Sequence, residues 1–329
     1  MTTRIGIIGG GFMGKTWSEV VTRYVPGAEL VAISGGKRGV ALAAEYDRPT
    51  EPNAEALLAR ADIDAVVIAT PQPTHCDLTI KAARAGKHIL VEKPMSMDVA
   101  EADRMVAAAD AADVRLAVVS QHRFRASPRV AKRLIEEGAI GTIRMVQVRG
   151  VSTPWDVPVE NEPYADLGFH LLDALRYLVG SEATSVSAHF ASYGSTTPPR
   201  QSGLATYRFA SDVLAHIWFS YELPEPGLGS LMHFLITGSE GMIDFDSYGA
   251  VRLARDGAWS TVHEQSPFDP NDLVNPVRAE AYANQFNDFL TGIAEHRDPW
   301  MNGREGRTTM TLIEGALRSD ATGTVVRLA

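Results

Sequence analysis

The 329-residue sequence has a single cysteine, Cys76, no apolar run long enough to span a bilayer, and fewer cations than anions. One cysteine closes no internal disulfide and builds no thiolate metal cluster by itself, so a disulfide scaffold and a cysteine-rich zinc module are both excluded. Lys plus Arg total 31 against 40 for Asp plus Glu, a net charge of −9. That balance offers no general attraction to phosphate backbones or anionic lipid, so neither nucleic acid nor membrane is an expected partner. The first residues run into a glycine cluster after a few apolar positions and lack a signal-peptide core, which sets the expectation of a cytoplasmic protein. P-loop and G-x-S-x-G patterns are absent too. What is there is an ordinary globular composition, 45% hydrophobic and 22% charged, with length for about two domains.

Short Val- and Ile-rich runs at 4–9, 29–34, 65–69, 88–91 and 116–120 alternate with helix-forming segments at 15–24, 40–46, 55–61, 74–85 and 98–109. Strands so continuously apolar suit a parallel sheet covered by helices on both faces, which predicts an α/β dinucleotide-binding domain of the Rossmann type over residues 1–122. Beyond it the pattern changes. A helix at 127–137 leads to alternating runs at 143–149, 185–191, 205–209, 213–221 and 232–237, with further helices at 167–178, 279–293 and 304–319. This predicts an α+β C-terminal domain, 123–329, built on one large, mainly antiparallel open sheet. Segments 152–165 and 194–202, rich in Pro, Ser, Thr and acidic residues, read as loops.

Gly9-Gly10-Gly11-Phe12-Met13-Gly14 is a G-x-G-x-x-G directly after a strand and opening a helix. Glycines at Gly9, Gly11 and Gly14 allow the tight turn, the approach of backbone to a pyrophosphate and close helix–strand contact, while the helix N-terminus offers free N–H groups to the anion. Phe12 and Met13 belong to the same cradle. The acid that usually follows about twenty residues on, to bind a ribose 2′-hydroxyl, is missing. In its place stand Ser34, Gly35, Gly36, Lys37 and Arg38, a hydroxyl, two positions without bulk and two cations, suited to a 2′-phosphate; NADP is favoured over NAD. Lys93, in Glu92-Lys93-Pro94, follows the fourth strand, where ligands of open α/β sheets collect; it would steady a substrate oxygen, or else pair with Glu92 at the surface. Asp166, His170, Asp173 and Tyr177 form one stripe on a predicted helix. A histidine between carboxylates suits general base work, or a structural histidine beside a helix cap. A metal at Asp166, His170 and Asp173 is the other reading, but no second histidine sits at ligand spacing, so no metal is expected.

In order and separation these motifs resemble the Gfo/Idh/MocA family of oxidoreductases over nearly the whole chain. The resemblance rests on Gly9, Gly11 and Gly14, on Ala69-Thr70-Pro71 with His75, on Ala85-Gly86-Lys87-His88 leading to Glu92-Lys93-Pro94, and on Leu134 to Gly141 before the second-domain sheet. It implies that Lys93, Asp166 and His170 are the catalytic and substrate-binding lysine, aspartate and histidine, and that Asp173 supports the histidine. It also implies that Thr70, Pro71, His75, Glu92, Lys93 and Gln121 lie along the cofactor. Ser34-Gly35 with Lys37 is similar to relatives that hold NADP, whereas NAD-preferring relatives usually carry an acid where Gly35 stands. Trp155 stands where some relatives place an aromatic near the nicotinamide ribose or the substrate. Glu160 to Tyr164 departs from the glycine-rich stretch common before Asp166. The expected activity is hydride transfer between NAD(P) and a sugar, polyol or related hydroxylated molecule, by a homodimer or homotetramer assembled through the open sheet. A glycosidase using a tightly bound NAD in a transient redox cycle and a non-catalytic dinucleotide-sensing regulator are the alternatives.

Overall fold

The computed structural model describes residues 2–154, 162–194, 199–229, 231–265, 269, 272–273 and 275–328. The chain divides into two compact units, Met1–Gln121 with Phe268–Met310, and His122–Pro267 with Thr311–Ala329.

The first unit opens with β1 (Thr3–Ile8), α1 (Phe12–Arg23), β2 (Ala28–Ser34), α2 (Gly36–Glu45), β3 (Thr50–Glu51) and α3 (Ala54–Leu58). It continues with β4 (Ala65–Ile68), α4 (His75–Arg84), β5 (His88–Val91), α5 (Val99–Ala111) and β6 (Leu116–Val118). The six strands form a parallel sheet in the order β3-β2-β1-β4-β5-β6. Ile5, Ile7, Val66, Val67, Leu90 and Val91 are wholly buried, as strands sandwiched between helix layers must be. Strand order reverses between β1 and β4, so the carboxyl ends of those two strands form the crevice where such sheets take their ligands. α2 starts earlier than its apolar pattern implies, because Gly36, Lys37 and Arg38 form its first turn rather than a loop.

The second unit holds α6 (Ala126–Glu136), β7 (Ile143–Val151), α7 (Pro163–Val179), β8 (Ala183–Ala191), β9 (Ser202–Phe209) and β10 (Leu214–Ser220). It adds β11 (Met232–Gly238), β12 (Met242–Asp246), β13 (Val251–Arg255) and β14 (Ala258–His263). The chain then runs through α8 (Pro276–Ala294) and α9 (Gly303–Thr322) to β15 (Val326–Arg327). Nine strands make one sheet in the order β14-β13-β12-β11-β7-β10-β9-β8-β15, antiparallel except for the central β7–β10 pair. On its inner face Val146, Val148, Tyr207, Ile217, Phe219, Phe234 and Phe245 are buried, and the rings of Phe234 and Phe245 stack with centroids 4.9 Å apart. α7 lies close to this sheet because β7 has no side chain at Gly150: a Cβ there would fall 2.6 Å from the Leu171 side chain.

The two-domain division at residue 122 needs one correction, since residues 268–310 do not join the second unit. Tyr282, Phe286 and Phe289 of α8 are buried with Trp17, Val20 and Val21 of α1 in one apolar cluster. Tyr282 meets the Trp17 ring edge-on at 5.3 Å, and Gln285 reaches the β6 backbone, donating to Val118 O at 2.8 Å. Periodicity marks which face of α8 is apolar but not which core will cover it.

Candidate functional site

In the first unit the turn after β1 is built by backbone meeting backbone. Gly9, at φ +126°, has a conformation that side chains rarely adopt, and a Cβ there would sit 2.2 Å from the Ala69 carbonyl oxygen after β4. A Cβ on Gly14 would lie 2.0 Å from Gly9 O, and one on Gly10 would lie 2.2 Å from the Gly39 nitrogen in α2. Gly35 closes the same seam, its would-be Cβ 2.5 Å from the Gly10 nitrogen. Gly11 is different, for a Cβ there would meet nothing within 4 Å. Four glycines are thus demanded by the protein's own packing, whereas Gly11 faces open space at the N-terminus of α1, where a pyrophosphate can approach the backbone. Gln121 adds a buried side-chain oxygen, Oε1, with no hydrogen-bond partner among the described residues. The residues present therefore fit a dinucleotide.

Other expected cofactor residues surround this turn. Phe12 is exposed, Ser34 is buried at the end of β2 with no partner for its hydroxyl among the described residues, and Lys37 and Arg38 are exposed in the first turn of α2. Thr70 and Pro71 follow β4, and the Thr70 hydroxyl lies 2.6 Å from that of Thr74. His75 acts as a brace, with Nδ1 3.0 Å from Pro94 O and Nε2 2.8 Å from Thr70 O, so the loops after β4 and β5 are tied through one buried ring. Burial lowers its pKa, and a neutral imidazole donates to only one of those oxygens. Both of these contacts of the His75 ring are to the protein's own backbone.

Glu92, the residue before Lys93, is buried. Its Oε1 accepts from Trp17 Nε1 at 2.8 Å and its Oε2 from the Lys93 backbone N–H at 3.2 Å, and the Lys93–Pro94 peptide bond is cis. Burial pushes the Glu92 carboxyl up, against these two donors and the charges of Lys93 and Arg278. Arg278 is the residue that sequence reasoning missed here. Its guanidinium stacks between the rings of Phe12 and Tyr282, 5.5 and 4.9 Å from their centroids, and donates to Thr16 Oγ1 at 3.1 Å. With 262 residues separating it from Thr16, no local signal could have placed it under the glycine turn.

In the second unit Asp166, His170 and Asp173 lie along α7, all buried, and the helix is buried nearly all round. The Tyr221 hydroxyl donates to Asp166 Oδ2 at 3.0 Å; burial, with Asp166 adding, holds that phenol well above its ordinary pKa, so it stays a donor. Asp173, expected to support the histidine, carries a two-pronged ion pair with Arg123, whose Nε lies 2.8 Å from both carboxylate oxygens. The His122 ring stands edge-on to His170, centroids 4.8 Å apart. Tyr221, Arg123 and His122 were not singled out from the sequence, since each lies roughly 45–55 residues from its partner. At the N-terminus of α7, Glu162 pairs with Arg200 at 2.7 Å. Trp155, Glu160 and Asn161 lie outside the described residues. Among those described, no group of three or more His, Cys, Asp or Glu side chains could hold a metal ion, and no helix is long and apolar enough to cross a membrane.

Residues 3–120 match the oxidoreductase family with an NAD-binding Rossmann fold, and residues 129–244 match the Gfo/Idh/MocA C-terminal domain. The chain belongs to the Gfo/Idh/MocA family of oxidoreductases. It is 32% identical to inositol 2-dehydrogenase 2 of Saccharopolyspora erythraea over 98% of this chain and 94% of that one. With the inositol 2-dehydrogenase of Rhizobium meliloti it shares 28% identity over 98% of both chains. Among solved structures it is similar to the WlbA dehydrogenase of Bordetella pertussis in complex with NADH and UDP-GlcNAcA, at 25% identity and a TM-score of 0.83 over 100% of this chain and 98% of that one. The protein is an NAD(P)-dependent oxidoreductase with an NAD-binding Rossmann fold; these relatives support that reading and not the glycosidase alternative.

A buried carboxyl whose pKa is raised by folding carries no penalty while both states hold the proton. The penalty grows as pH climbs from the unfolded value, about 4.3, towards the folded one. Glu92→Gln keeps an acceptor for Trp17 and removes the charge. Its melting temperature relative to wild type should therefore rise between pH 5 and pH 8 in scanning fluorimetry; a difference that stays constant or falls contradicts the assignment.

Proposed function

We propose that the protein oxidises a secondary hydroxyl of a cyclic polyol or sugar, or reduces the matching ketone, with NADP(H) favoured over NAD(H). The observation that carries this is the pair on α7, where Asp166 and His170 lie one turn apart, each buried and each with a fixed neighbour, in a chain of an oxidoreductase family. Two of the relatives named above are inositol dehydrogenases, which supports a polyol as the substrate class.

When bound, the nicotinamide supplies the hydride acceptor or donor. Gly9, Gly11, Phe12, Met13, Gly14, Thr70, Pro71 and Gln121 would line the dinucleotide. His170 takes the hydroxyl proton in the oxidative direction, a role suited to a group whose unperturbed pKa lies near neutrality. Lys93 donates to the substrate oxygen and stabilises the charge that develops on it. Asp166, held by Tyr221, assists by its charge and by hydrogen bonding. Trp155 is assigned to the substrate on resemblance alone.

The preference for a 2′-phosphate is supported by the start of α2. That helix has no acidic residue in its first turn and carries Lys37 and Arg38 there, where cations oppose the helix dipole. Such an arrangement is stabilised by an anion. We also assign the outer face of the nine-stranded sheet to a homodimer or homotetramer, because Met145 and Leu204 are exposed on it and Trp218 pairs with Leu204 across β10 and β9. With its one cysteine buried and free, we place the protein in the cytoplasm.

Steady-state oxidation of myo-inositol and a panel of polyols tests this. We expect activity with NADP⁺ at higher kcat/KM than with NAD⁺, and a fall in that preference of roughly tenfold in Lys37→Ala, as for loss of a charge-assisted bond to phosphate. His170→Ala should lower kcat by about a hundredfold or more. Full activity of His170→Ala would remove the assignment. In light scattering a dimer or tetramer is expected for the wild type, with a smaller species for Leu204→Lys; a wild-type monomer contradicts the interface.

A further inference from the structure

His122 is buried to 1% exposure and sits four residues before the start of Ala126–Glu136, on the short turn that also bears Arg123. Its Nδ1 lies 2.7 Å from the hydroxyl of Ser247, a fully buried residue just after β12. Ser247 is itself fixed, its backbone N–H donating to Met232 O at 2.9 Å in the neighbouring strand. The imidazole is packed from two sides, edge-on to His170 at 4.8 Å and to Tyr248 at 5.4 Å, and the Arg125 guanidinium caps Tyr248 at 4.0 Å. A buried serine, 125 residues away in sequence, thus sets the angle of a ring whose edge bears on the proposed base.

We propose that His122, locked by Ser247, is a positioning residue for His170: it holds that imidazole in one orientation. The inference rests on the reading of His170 as the base. Two imidazolium ions this close repel, so the pair gains one proton well before the second, and its two apparent pKa values belong to the pair. The surrounding charges decide which ring is protonated first. Arg123 and Arg125 flank His122 on its own segment, and the Tyr248 ring lies between His122 and Arg125. His170 shares α7 with Asp166 and Asp173, the first held by Tyr221 and the second by Arg123. Arg123 and Asp173 largely offset each other in their ion pair, so Asp166, one turn before His170, favours the charge on that ring and Arg125, near His122, disfavours it there. Restricting His170 to one orientation also removes rotamers from which proton transfer would fail.

The experiment follows ¹⁵N-histidine-labelled whole protein by NMR across pH 5 to 9 and, in parallel, the oxidation of myo-inositol. In the wild type the His170 resonance should titrate in two steps; in His122→Phe, which keeps an aromatic edge but no ring nitrogen, in one. Ser247→Ala should displace the His170 midpoint and lower kcat about tenfold with KM within about twofold, while Ser247→Thr, which restores the hydroxyl, recovers both. A His170 titration unchanged in His122→Phe and Ser247→Ala overturns the inference even where kcat falls. If His170→Ala retains the wild-type rate, the assignment of the base has failed, and the role of His122 falls with it whatever the titrations show.

Discussion

Four glycines bring three separate chain segments into contact at the carboxyl end of the parallel sheet, and the geometry of the first unit depends on that contact. Gly9 lies against the Ala69 carbonyl, Gly14 against Gly9, and Gly10 against Gly35 and Gly39, at separations that leave no room for a methyl group. β1, β4 and the start of α2 are held together there without side chains. Because the protein's own packing accounts for these four, the open space at Gly11 marks a position in the G-x-G-x-x-G turn that packing leaves bare. Beneath the turn, Trp17 joins the carboxyl of Glu92 to the aromatic face of α8, and Arg278 supports Phe12 from below. The dinucleotide cradle and the residue preceding Lys93 therefore share one buried support.

The seam also explains why an acid is missing after β2. An acidic side chain at position 35 would need a Cβ where the Gly10 backbone already is. Loss of the usual ribose-binding carboxylate and the close approach of α2 to the glycine turn are two faces of one packing decision. With no carboxylate there to repel it, a phosphate would meet a helix N-terminus carrying Lys37 and Arg38.

Much of this was legible in the sequence. Strands buried on both faces leave continuous apolar runs, so β1, β2, β4, β5 and β6 and the glycine turn between β1 and α1 could be read directly. The stripe on α7 could be read as well, from the spacing of Asp166, His170 and Asp173. The rest was hidden for particular reasons. β12, β13 and β14 lie at the far side of the open sheet and are only five or six residues long, and β14 has no buried position, so little hydrophobic pattern marks them. Gly36 to Arg38 reads as a turn, since glycine is a poor helix former, yet it opens α2. Long-range partners leave no local trace: Ser247 with His122, Tyr221 with Asp166, Arg123 with Asp173 and α8 with α1 are all set by folding across the chain.

Equilibrium titration of wild-type protein and Gly35→Asp with NADPH and NADH, followed by fluorescence and paired with a thermal melt of each, tests the glycine seam most directly. The account predicts saturable binding by the wild type, tighter for NADPH, and a Gly35→Asp protein with a lower melting temperature that binds both nucleotides weakly. A Gly35→Asp protein of wild-type stability that binds NADH more tightly would contradict it, because the aspartate would then have found room where the Gly10 backbone is placed.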